Sequence, residues 1–143
     1  MLFPTNGTAF TSAPIVINDP LMTIALIFLL LAASLGSYLA VGFLRGTPPP
    51  AAGVMLGLVH GVIGAAGLLE LFVALGSVHH LATYGLSGFG TGAEVLLCLA
   101  ILLGLVVAIP AWTGKRPSGL VVGAHASAAI TALVLVIAIV ILR

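Results

Sequence analysis

Charge is almost missing from this chain. Four Lys or Arg and three Asp or Glu make up 5% of its 143 residues, against about 25% in soluble domains. Seven charges cannot cover the surface of a water-soluble fold of this size, and a formal net charge of +1 gives no reason to expect a nucleic-acid partner. Cysteine is nearly missing too. Cys98 stands alone, so no internal disulfide can form, and its place in an apolar run suits a small packing residue. Met1 to Pro20 hold no Lys or Arg, which is unlike the basic opening of a cleavable signal. No phosphate-binding loop, dinucleotide glycine fingerprint, Gly-x-Ser-x-Gly or Cys-x-x-Cys-His occurs. No Lys falls at a helix centre, where a retinal Schiff base would need one. These absences remove the common soluble enzyme classes and leave open whether the chain is an enzyme at all.

What is present is apolar. Hydrophobic residues make up 62% of the chain and mean hydropathy is +1.37. A spanning helix needs about 20 apolar residues, and four such segments use nearly the whole length. The expectation is an all-α bundle of four transmembrane helices with lipid as its main solvent. Residues 1–20, with Pro4, Pro14 and Pro20, read as an irregular lead-in, and residues 21–143 as the membrane domain. The helices are expected over about 21–44, 51–76, 93–112 and 119–142. Pro48-Pro49-Pro50 ends the first because three prolines cannot continue a helix. Residues 77–92, rich in glycine, read as a loop. Trp112 and Tyr84 suit interfacial anchoring.

Arg45, Lys115 and Arg116 fall in the two short turns, the N-terminal segment and middle loop lack Lys and Arg, and only Arg143 opposes the trend. The positive-inside rule then puts the turns in the cytoplasm and both termini outside. Short loops point to a bacterial inner membrane. Each half of the chain also reads as helix, basic turn with Gly and Pro, and a second helix carrying a histidine, which suggests a tandem pair of hairpins. Small residues four apart in Ala32-Gly36-Ala40, Gly57-Gly61-Ala65 and Gly119-Gly123-Ser127 allow close helix contact.

Polar side chains at membrane depth are costly and therefore informative. His60 and His125 are the leading pair. They lie about 13 Å and about 9 Å from the starts of their helices, near enough for one common depth. The residue one turn on is small in both cases, Gly64 and Ala129. Two inward imidazoles beside small residues are what a b-type haem held between helices two and four requires. The bland alternative is that each imidazole hydrogen-bonds a carbonyl or hydroxyl of a neighbouring helix. Glu70 lies about 15 Å from His60 along the helix and is a candidate proton or quinone-site acid, or simply a carboxyl bonded to another helix. His79, His80 and Glu94 have ligand chemistry for zinc, copper or iron, without a metal-site spacing to support it.

On these two histidines and the helix count, the chain resembles in outline the small four-helix membrane cytochromes b. It is also similar to small four-helix bacterial integral membrane proteins of no assigned activity. The first resemblance implies electron transfer or quinone chemistry with His60 and His125 as axial ligands. Members with two haems need four ligands at two depths, so one haem at most is implied here. Two other readings stand beside it. One is an accessory or scaffold subunit of a larger membrane complex, or a self-associating one. The other is a small transporter lined by Glu70 and the histidines.

Overall fold

The computed structural model of the chain describes residues 20–46, 51–77 and 86–142. Among these are four α-helices: α1 (Pro20–Leu44), α2 (Ala51–Ser77), α3 (Ser87–Trp112) and α4 (Gly119–Leu142). Each is long and apolar enough to cross a bilayer, and the chain is an all-α, multi-pass integral membrane protein. The lead-in before Pro20 and most of the α2–α3 connection lie outside the described residues.

The helices run up, down, up and down around a square. α1 packs on α2 and α3 on α4 over large faces, while the α2–α3 and α1–α4 seams are slighter. α2 and α4 sit on a diagonal with no close backbone approach. The molecule is thus two helical hairpins laid side by side. Each hairpin opens with a helix that stops at a glycine in the left-handed region, Gly46 and Gly114, both at φ 71°. At α3 the ending is a complete Schellman motif. Gly114 N–H donates to Ala111 O and Lys115 N–H to Pro110 O at 2.8 Å, which satisfies carbonyls that lipid could not. At α1, Gly46 N–H donates to Phe43 O in the same way.

Hydroxyls that face outward are satisfied within their own helices. Ser34 Oγ donates to Leu30 O and Ser37 Oγ to Ala33 O, each at 2.8 Å. Thr131 does the same to Ser127 O. This is the economical arrangement where no water is available.

The third helix begins at Ser87, six residues earlier than its apolar run suggests, and takes in Gly88, Gly90 and Gly92. Two of these glycines are close-approach residues. A Cβ on Gly90 would lie 3.3 Å from Leu75 Cδ1, and one on Gly92 would lie 3.4 Å from Leu135 Cδ1. They let α2 and α4 press against the start of α3. Two of the three small-residue rows also face another way than expected. Gly57, Gly61, Gly119 and Gly123 have nothing within 4 Å of an added Cβ, and Gly61, Ala65, Gly119, Gly123 and Ser127 are exposed. Only the α1 row turns inward. Cys98 is exposed as well, one position past the inward-facing Leu97.

The core occupies one half of the bundle. Met22, Ala25, Leu29 and Ala32 of α1 are buried, as are Gly90, Ala93, Leu97 and Ala100 of α3. Both sets follow the 3-4-3 spacing of an inward seam. α2 contributes Leu68, Leu71 and Ala74, and α4 contributes Ala128, Ala132, Val136 and Ile139. All of these lie toward the α2–α3 connection, the loop end. Toward the two short turns, the turn end, no described residue of 33–46, 53–66 or 101–127 is buried. The bundle is close-packed at its loop end and open at its turn end.

Candidate functional site

The two histidines sit where the packed half gives way to the open half. His60 Nδ1 lies 2.8 Å from Ala32 O, and His125 Nδ1 lies 2.7 Å from Ala100 O. Ala32 and Ala100 are the last buried residues of α1 and α3 on the way to the turns. One turn further along, each helix offers a glycine to the ring. A Cβ on Gly36 would fall 2.9 Å from His60 Cε1, and one on Gly104 would fall 3.2 Å from His125 Cε1. Alanine, glycine and histidine therefore recur in matching places in the two hairpins. This is structural support for the tandem arrangement.

Carbonyls inside a helix already accept one hydrogen bond and keep a second lone pair. A carbonyl oxygen only accepts, so each imidazole must be protonated on Nδ1 to donate. That leaves Nε2 of each ring as the nitrogen with an available lone pair when the ring is neutral. Among the described residues no hydrogen bond reaches either Nε2. The rings come from the diagonal helices and meet across the bundle axis, with centroids 5.9 Å apart and planes at 81°. Both are half-buried. The expected common depth and inward direction are both found. The carbonyl bonds of the bland alternative are found as well. Such a bond is also what fixes the tautomer and aim of an imidazole that binds metal through its other nitrogen.

The remaining candidates do not join this pair. Glu70 is half-buried in the packed half of α2, about 15 Å along the helix from His60. Glu94 is half-buried near the start of α3. Leu75 packs on Gly90, and this register puts Glu70 and Glu94 at a similar depth, about one turn inward of that contact. His79 and His80 lie outside the described residues. Among the described residues no three His, Cys, Asp or Glu side chains gather as a metal site.

Two further features of this region are visible only in the structure. Gly36 and Gly104 make room for the rings. A groove of about 280 Å³ runs along the α1–α4 seam in the open half, lined by Ala40, Phe43 and Leu44 of α1 and by Gly119, Gly123 and Ala126 of α4. Comparison with known proteins finds no matching family model, curated protein or solved structure.

Proposed function

We propose that this membrane protein binds one b-type haem through His60 and His125 and serves in electron transfer. The observation that carries this reading is the pair of imidazoles, each fixed at Nδ1 by a carbonyl and each left with Nε2 unbonded, brought together from opposite helices. Two imidazole nitrogens that find no hydrogen-bond partner among the described residues of an apolar bundle suit a shared occupant. A single metal between the rings would satisfy both. Each ring hangs from a carbonyl of its own hairpin, so the slighter seams between hairpins can part while both hydrogen bonds stay intact. Gly36 and Gly104 keep side-chain bulk away from the rings. Bound haem would supply one-electron chemistry, and His60 and His125 would hold its iron. The same reading has the chain in a bacterial inner membrane, with Arg45, Lys115 and Arg116 cytoplasmic and both termini outside. Glu70, remote from the pair, is kept as a candidate proton or quinone-site group. The weak metal reading of His79, His80 and Glu94 gains no support.

The test is the absorption spectrum of detergent-solubilised protein from haem-replete cells. A Soret band with sharp reduced-state bands is expected, and both His60→Ala and His125→Ala should lose it. A colourless wild-type preparation would refute haem binding.

A second reading, an accessory subunit, is favoured by Gly57, Gly61 and Ala65. They form a lipid-facing strip of α2 on which another helix could lie closely. Under that reading, mild solubilisation co-purifies a defined membrane partner, and Gly61→Leu releases it.

A further inference from the structure

Three of the chain's four Lys and Arg residues, Arg45, Lys115 and Arg116, lie in the two short turns, and no acid among the described residues lies with them. Arg45 ends α1, and Arg116 reaches from the other turn so that its Nη2 would stand 3.0 Å from a Cβ on Gly46. Lys115 adjoins it. The turns that carry Arg45, Lys115 and Arg116 are thereby brought side by side. The only acids among the described residues, Glu70 and Glu94, lie in the far half of the bundle. An anion at this end would meet three cationic side chains and no acid among the described residues.

The groove between α1 and α4 opens at the same end. Its walls are apolar, and an added Cβ at Gly119 or Gly123 would meet nothing within 4 Å. Leu44, at its edge, is the residue before Arg45, and Gly119 is three residues after Arg116. Apolar groove and cation cluster are therefore continuous along the membrane normal, with the cations where the helices leave hydrocarbon. The occupant that fits both parts is an amphiphile with an acyl chain and an anionic head. We propose that the α1–α4 groove is a specific site for an anionic phospholipid, one chain lying against Gly119 and Gly123 and the phosphate held by Arg116 and Arg45. Neither histidine takes part, so the site stands or falls independently of haem.

Native mass spectrometry of the intact protein, released from micelles doped with equal amounts of phosphatidylglycerol and phosphatidylcholine, reads the preference directly. Phosphatidylglycerol should be retained over phosphatidylcholine, and Arg116→Gln should cut that preference about fivefold, the scale of one cation near an anionic surface. Gly123→Leu, which fills the groove while leaving the cations, should lower retention of both lipids. Equal retention of the two lipids by the wild type would overturn the proposal. An unchanged preference in Arg116→Gln would do the same. So would a dimer that Gly123→Leu dissociates, since a second copy would then be the occupant. Both substitutions lie at exposed positions, and unchanged helical circular dichroism confirms that the variants are folded.

Discussion

The glycines separate into those that make room and those that face lipid, and substitution should tell them apart. Gly36→Ala puts a methyl 2.9 Å from His60 Cε1, closer than real contacts allow, and the ring or the helix must shift. A loss of about 1–3 kcal/mol, the usual range for overpacking, is expected in reversible unfolding in mixed micelles. Gly67→Ala, at 2.9 Å from Leu29 Cδ2, should behave alike. Gly57→Ala meets nothing within 4 Å and removes a flexible residue from a helix, so stability should hold or rise by up to about 1 kcal/mol. Equal effects at residues 36 and 57 would contradict the inward placement of the first. Removing an imidazole costs its carbonyl bond, typically about 0.6 and at most about 1.7 kcal/mol in a membrane bundle. His60→Ala and His125→Ala should therefore remain folded. The histidines themselves were legible in the sequence as a pair at one depth. Their acceptors were not, because a backbone carbonyl has no residue identity to read.

Among the elements, the spans and turns follow directly from the sequence. Long apolar runs set helix length, and the break expected between the first two runs falls where α1 ends, at Leu44 and Gly46. Which face of a helix turns inward does not follow, because these helices are apolar all round. Lipid is as apolar as a core and leaves no polar stripe to mark the outside. Ala32-Gly36-Ala40 and Gly119-Gly123-Ser127 look alike as strings, yet only the first faces the bundle interior. The start of α3 was hidden for a related reason. Glycines at 88, 90 and 92 have the composition of a loop, and the approach of Leu75 and Leu135 explains Gly90 and Gly92 inside a helix. The turns offer a sharper check. Gly114→Ala forces an L-residue to φ 71°, which costs about 1–2 kcal/mol. The same change at Gly88, helical and with nothing nearby, should cost little. Comparable thermal shifts for the two variants would argue against the Schellman ending of α3.

At the scale of the whole molecule, the division into a packed half and an open half governs where mutations should hurt. Leu71 and Ile139 are fully buried in the packed half, and truncation to alanine there should cost about 2–5 kcal/mol. Leu120, in the open half, is 84% exposed and meets lipid, so Leu120→Ala should be nearly neutral. The division was not foreseeable from composition, since both halves are equally apolar. It arises because the 3-4-3 seams of α1 and α3 stop at Ala32 and Ala100, where the histidines take over the contact between hairpins. The pair thus sits at the level where the buried core of the loop end gives way to the open half.

The proposed haem needs His60 and His125, one from each hairpin, on a single iron. Titrating the purified, cofactor-free protein with ferric haem tests this most directly. The account predicts saturation at one equivalent with the low-spin spectrum of two imidazole ligands, changing to a high-spin or unbound form when either histidine becomes alanine. A wild-type titration that shows no low-spin species, or one that survives the loss of both histidines, would contradict it.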